Sequence, residues 1–180
     1  AHKNDVVVVQ EAAHNMLTYQ GDPLSFLSVP GAKEVGVEVH SMSKAFHMIG
    51  WRLGWVCGHG RIVQAFADVK DNCDSGQFLA IQQAAAAALD DEQIPRDVRA
   101  KYQRRLRKLV DVLVRCGFTC DMPGGSYFLY TPSPRGIDGG PQFETAQDAS
   151  QYLITQLSIC TVPWDDAGAY LRFSVTYEAA

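Results

Sequence analysis

The sequence has no stretch of about 18 or more consecutive apolar residues, so no segment is a candidate membrane-spanning helix. It also has no basic excess. Sixteen Lys and Arg face 20 Asp and Glu, giving a net charge of −4, which argues against nucleic acid as the main partner. No Cys-x-x-Cys pair occurs. The five cysteines (Cys57, Cys73, Cys116, Cys120 and Cys160) are odd in number and scattered. Cys116 and Cys120 have no histidine near them in sequence, so reduced thiols are expected, with no disulfide framework and no metal site. The phosphate-loop pattern Gly-x-x-x-x-Gly-Lys-Ser/Thr is missing, and so is any internal repeat; the only biased run is Ala84–Ala88. The opening "AHKND" has neither an initiating Met nor a signal-peptide apolar core, and it runs directly into valines. That opening reads as a chain cut from something longer, and the expected compartment is the cytoplasm.

What is present is ordinary for a globular soluble protein: 47% hydrophobic and 20% charged residues, far from the disordered class. "DVVVV" (5–9) is a continuous β-branched run of the kind found in strands covered on both faces of a parallel sheet. "EVGVEVH" (34–40) and "RLGWVCG" (52–58) read as two more strands. The spacing turns helical over 60–72, over 76–91, where Asp74 or Ser75 is the expected cap, and over 94–116. The third helix is amphipathic, with Val98, Leu106, Leu109, Val110 and Leu113 on one side, basic residues opposite, and Gly117 as its stop. Those arginines read as a solvated face, because no stacking aromatics accompany them. Beyond Gly117 the texture is a short α+β pattern. "FTCDMP" and "SYFLYTP" read as strands about a Gly turn, "ETAQDASQYLITQL" as a helix starting near Glu144 or Thr145, and "ICTVPW" and "YLRFSVTY" as further strands. Two parts are therefore expected, 1–94 and 95–180.

The most informative stretch is "HSMSKAFHMIGWRLGWVCG" (40–58), which places two serines, a lysine, an arginine and three glycines between two strands. A loop that leaves a strand end in this way lies where α/β sheets bind ligands. Lys44 could contact a phosphate, act as an amine nucleophile, or be a surface charge. Its companions favour a phosphorylated ligand. Ser41 and Ser43 offer hydroxyls, Arg52 offers a planar fork suited to phosphate oxygens, and Gly50 and Gly54 allow close backbone approach. With no nucleotide loop, a phosphorylated cofactor bound covalently through the lysine remains the best account.

"SMSKAFHMIGWRLGW" resembles the pyridoxal-phosphate signature of class I/II aminotransferases, Ser-x-Ser-Lys with an Arg eight residues after the lysine and then a Gly. "VVVVQEAAHNMLTY", "MPGGSYFLY" and "YLRFSV" follow the family's order of motifs. Within the family the likeness is strongest to LL-diaminopimelate aminotransferases, through "PLSFLSVPGAKEVGVEVHSMSKAFHMIGWR" and "DSGQF". The resemblance implies the C-terminal part of a fold type I transferase, with a partial, mostly parallel large-domain sheet over 1–94 and an interdomain helix and α+β small domain over 95–180. It implies pyridoxal 5′-phosphate as cofactor and amino acids and 2-oxo acids as substrates, here LL-2,6-diaminopimelate and 2-oxoglutarate in lysine and cell-wall synthesis.

By the same resemblance Lys44 is the catalytic lysine. Ser41 and Arg52 bind the cofactor phosphate, with Ser43 a weaker contact, and Arg172 clamps the substrate α-carboxylate. Two positions depart from the pattern. The family's aspartate, which pairs with the pyridine nitrogen, falls on Glu11, and the tyrosine that bonds the ring hydroxyl falls on His14. Glutamate keeps the charge with one more methylene, and histidine keeps a donor with shorter reach. The resemblance leaves three alternatives open: an aspartate or aromatic aminotransferase, a C–S lyase, or a non-catalytic remnant or partner subunit. It further implies a homodimer for the complete enzyme, or pairing with a separate N-terminal piece. These strands alone are expected to expose sheet edges and apolar faces.

Overall fold

The computed structural model describes residues 1–166 and 168–177. The chain divides into two compact units, Ala1–Arg99 and Ala100–Ala180, and the division falls inside its longest helix.

The first unit carries a three-stranded sheet in the order β1 (Val8–Glu11), β2 (Gly36–Ser41), β3 (Gly54–Gly58). β1 and β2 are parallel, in register Val8↔Gly36 to Glu11↔Val39; β2 and β3 are antiparallel, from Val37↔Gly58 to Ser41↔Gly54. The expected mostly parallel sheet thus holds for one of the two pairings. The lysine loop returns directly on itself with no crossover helix, and a direct return makes an antiparallel neighbour. The parallel pair is bridged by a long connection built from 3₁₀ turns at Asn15–Leu17, Phe26–Ser28 and Ala32–Glu34. Polar side chains of the strands hold this connection down. The Gln10 amide accepts from the Phe26 N–H (2.6 Å) and donates to the Leu24 carbonyl (2.9 Å). Glu38 accepts from the Leu27 N–H (2.9 Å) and the Ser25 hydroxyl (2.6 Å).

The valine run is not covered on both faces as its composition suggested. Val9 of β1 is 60% exposed and Val7 just before it 56%, while Val8 and Gln10 are half-buried, so one face of this edge strand lies open. Helices α1 (Gly60–Cys73), α2 (Leu79–Leu89) and the start of α3 (Gln93–Arg115) complete the unit. The expected cap of α2 is also corrected. Asp74 instead ends α1: its N–H donates to the Lys70 carbonyl, and its carboxylate takes the Lys70 ammonium and the Gly76 N–H. Phe78 occupies the N-cap position of α2 with no side-chain cap.

In the second unit α3 ends as its glycine predicted. Gly117 has φ +87°, the Gly117 N–H bonds the Val114 carbonyl and the Phe118 N–H bonds the Leu113 carbonyl (both 3.0 Å), the paired closure of a Schellman motif. The same closure explains why 118–123 forms no strand. The Phe118 N–H is already used by the helix end and Pro123 has none to give. The sheet is β4 (Phe128–Pro132), β6 (Tyr170–Ser174), β5 (Val162–Trp164), antiparallel throughout with β6 central. Leu129, Thr131, Leu171 and Phe173 are buried along it. α4 (Ala146–Leu157) starts at Thr145 with a reciprocal capping box. The Thr145 hydroxyl accepts from the Asp148 N–H (3.1 Å) and the Asp148 carboxylate accepts from the Thr145 N–H (3.0 Å). Asp165 takes the N–H groups of Ala146 and Gln147, so the first three donors of the helix are satisfied.

Candidate active site

The lysine loop projects from a closed base. The β2–β3 ladder continues one rung beyond the strands, with the Met42 N–H donating to the Leu53 carbonyl (3.1 Å), and the Met48 N–H folds back on the Met42 carbonyl (3.2 Å). Met42, Ala45, Phe46 and Met48 are buried beneath the loop, while Lys44 between them is half-buried. The apolar residues of "SMSKAFHMIG" therefore anchor the turn and the polar ones ride on it. Gly54 has a role different from the close ligand approach inferred for it. A Cβ there would stand 2.5 Å from the His40 carbonyl oxygen of the neighbouring strand, so its small size serves the ladder itself. Gly54→Ala is expected to cost about 1–3 kcal/mol by forcing the two strands apart at the loop base. The urea midpoint measures this.

Ser41 closes β2, and its Oγ accepts from the Ser43 N–H (3.1 Å), an ST-type turn that bends the chain towards Lys44. Ser43 itself is buried. Arg52 sits in the left-handed region (φ 54°), rare for a residue with a side chain, and its guanidinium donates to the Ile49 carbonyl (2.9 Å). A guanidinium has five N–H donors, and the group is exposed at the loop's return.

At the parallel end of β1, Glu11 is exposed and turns its carboxylate onto the Ala13 N–H (3.1 Å). His14 follows, half-buried. Its imidazole pKa is held below the ordinary value, first by burial and then by the Lys44 ammonium, against an opposing pull from Glu11. Three of the predicted site residues, on two separate segments, therefore lie within electrostatic reach of one another. The sign of the linked stability effect follows. A histidine with a lowered folded-state pKa leaves the unfolded chain binding more protons below about pH 6.5. Its contribution is whole above that pH and is lost as pH falls. Denaturation midpoints taken between about pH 5 and 8 should drop on acidification, and His14→Gln should flatten that part of the profile.

Arg172 belongs to the second unit and is placed on the central strand β6, between Tyr130 of β4 and Val162 of β5. It is half-buried. Its guanidinium lies 4.4 Å from the Phe128 ring centroid and 6.0 Å from that of Trp164. Aromatic faces hold a cation in place without consuming its N–H donors.

A pair that the sequence reading passed over lies on β2. Glu38 is 3% exposed, and its second carboxylate oxygen lies 2.8 Å from His40 Nε2. The signal was a glutamate two residues before a histidine, interleaved with Val37 and Val39 on one strand, which puts both on one face.

Lys44 thus lies just past the carboxyl end of β2, on a loop that also carries Ser41, Ser43 and Arg52 and within electrostatic reach of His14. The whole chain, residues 1–180, matches the family model of aminotransferase class I and II, and the chain belongs to that family. Pyridoxal phosphate is the cofactor of these enzymes. LL-diaminopimelate aminotransferase from Methanocaldococcus jannaschii is 55% identical over 99% of this chain and 43% of its own length. The enzyme of the same name from Methanococcus maripaludis is 51% identical over the same shares. Among solved structures, apo-BacF from Bacillus subtilis aligns with TM-score 0.88 and 27% identity, over 99% of this chain and 45% of that one. A double mutant of Thermus thermophilus aspartate aminotransferase aligns with TM-score 0.83 and 26% identity, over 99% and 46%. The fold is that of the fold type I aminotransferases, and the chain spans a little under half the length of the relatives it matches.

Proposed function

We propose that this chain carries the lysine and the carboxylate-binding arginine of a pyridoxal-phosphate-dependent aminotransferase acting between LL-2,6-diaminopimelate and 2-oxoglutarate. The observation that carries this reading is Lys44 on its anchored loop, within electrostatic reach of His14 and with Ser41 and Arg52 at the loop's two ends. The choice of substrate rests on the two relatives above 50% identity, both named for diaminopimelate.

The donor set fits the cofactor. An amine suits its aldehyde, a hydroxyl and a guanidinium suit its phosphate, and a carboxylate suits its protonated ring nitrogen. Bound pyridoxal phosphate supplies an electron-withdrawing ring that makes the substrate's Cα–H acidic. Lys44 Nζ would hold the cofactor through its aldehyde and would carry the proton taken from the substrate Cα. Ser41 and Arg52 would grip the phosphate, with the Ser43 N–H bonded to Ser41 Oγ in the turn. Glu11 would supply the negative charge for the ring nitrogen, and His14, whose pKa burial and then Lys44 lower, would offer a ring N–H to the phenolic oxygen. Arg172 pairs with the substrate α-carboxylate in a two-pronged contact that orients the Cα–H bond.

The exposed Val7, Val9, Phe78 and Leu79 support an assembly in which more sheet, or a second copy, covers the first unit, as in a homodimer. Among the described residues no helix is long and apolar enough to cross a membrane, and a biosynthetic role fits the cytoplasm. Supplied with pyridoxal phosphate, LL-diaminopimelate and 2-oxoglutarate, the full-length protein should form glutamate at a kcat of roughly 1–10³ s⁻¹. Glutamate from aspartate or an aromatic amino acid, with none from diaminopimelate, would replace the substrate. No glutamate from any donor would favour a non-catalytic remnant in which Glu11 and His14 no longer serve.

A further inference from the structure

Glu38, His40 and Cys57 form a cluster on β2 and β3 that the reading above leaves unused. Glu38 and Cys57 are direct cross-strand partners, and His40 lies two residues along from Glu38, so all three side chains share one face of the sheet. One carboxylate oxygen, one imidazole nitrogen and the thiol sulfur all lie within 4.8 Å of one another. We propose that these three residues bind a zinc-class divalent cation, with a fourth position open to solvent or a small ligand. This site is independent of the pyridoxal-phosphate reading.

Carboxylate, imidazole and thiolate are the three donor types zinc takes from proteins, at about 2.0–2.3 Å, and three protein ligands with one open position are a common zinc arrangement. Bonds of that length hold ligand atoms roughly 3–4 Å apart in a tetrahedron. The observed cluster reaches this by parting the 2.8 Å Glu38–His40 contact slightly and drawing in the sulfur.

The outer partners are already in place. The Ser25 hydroxyl and Leu27 N–H occupy Oε1 of Glu38 and leave Oε2 turned towards His40. His40 stacks on Trp55 with ring centroids 5.0 Å apart and planes 8° from parallel, which fixes the ring. Such support is what orients ligands for a metal.

A dication balances the two anionic donors of the cluster, the Glu38 carboxylate and the Cys57 thiolate. The proton balance is simple: Cys57 releases its thiol proton to solvent, and neutral His40 carries its ring proton on Nδ1 so that the Nε2 lone pair meets the ion. His40 and Cys57 are half-buried, so an ion has a route in.

Cobalt(II) is the probe. One equivalent added to the reduced chain without pyridoxal phosphate should give a thiolate-to-cobalt charge-transfer band in the near ultraviolet and tetrahedral d–d bands in the visible. Zinc should bleach both. Cys57→Ser and His40→Gln should each lose the bands while keeping the far-ultraviolet circular dichroism of the parent. Zinc affinity, read by competition with a chromophoric chelator, should fall beyond the roughly 10–100-fold that loss of an outer partner costs. Cys116→Ser, which removes an exposed thiol, should leave the spectrum intact. No band at one equivalent, a band that survives Cys57→Ser, or one lost in Cys116→Ser would overturn the site.

Discussion

Lys44→Ala in the full-length enzyme is expected to abolish covalent attachment of pyridoxal phosphate and to lower turnover by at least about 10²–10⁴-fold, the range supplied by a positioned acid–base group. The size of the effect follows from the two tasks proposed for the lysine, holding the cofactor and moving the Cα proton, with no second amine on the loop to substitute for it. Folding should be little affected, because the buried groups of the turn are Met42, Ala45, Phe46 and Met48. Lys44→Arg is the sharper variant. It preserves the positive charge beside His14 yet offers a guanidinium that stays protonated and does not attack an aldehyde. Both variants should therefore lack the cofactor's bound absorbance. Activity within tenfold of the parent in either one would remove Lys44 from the chemistry.

Leu171→Ala is expected to cost the second unit about 2–5 kcal/mol in a denaturant titration. Leu171 is fully buried on the central strand, opposite Thr131 of β4 and Pro163 of β5, so truncation leaves a cavity where neighbours on both sides are fixed by the ladders. Against a total stability of about 5–15 kcal/mol this is a large fraction. Gln151→Ala on the exposed side of α4 should change stability by no more than about 0.5 kcal/mol. Because Leu171 adjoins Arg172, loss of the leucine should also loosen the β6 backbone that carries the guanidinium.

Much of this was readable from the residues, and what was not has physical reasons. The amphipathic α3 and its Gly117 stop, the Thr145 start of α4 and the strand at "YLRFSV" came from period and cap chemistry, which are local. The strand over 118–123 failed because the helix closure and Pro123 consume or remove the donors a ladder needs. The buried reading of "DVVVV" failed because composition does not say what covers each face of a strand. Asp74 was read as starting a helix when it ends one, since a carboxylate can take N–H groups or an ammonium on either side. The lysine loop stood out because its serines, lysine and arginine are contiguous. The Glu38–His40–Cys57 cluster did not, because Cys57 meets the other two only through strand pairing.

The most direct measurement is borohydride reduction of the full-length protein mixed with pyridoxal phosphate, followed by peptide mapping of the labelled residue. One label per chain on Lys44, with the absorbance of the bound cofactor lost on reduction, is the predicted result. A label on another lysine, or none at all, would contradict the assignment of this loop.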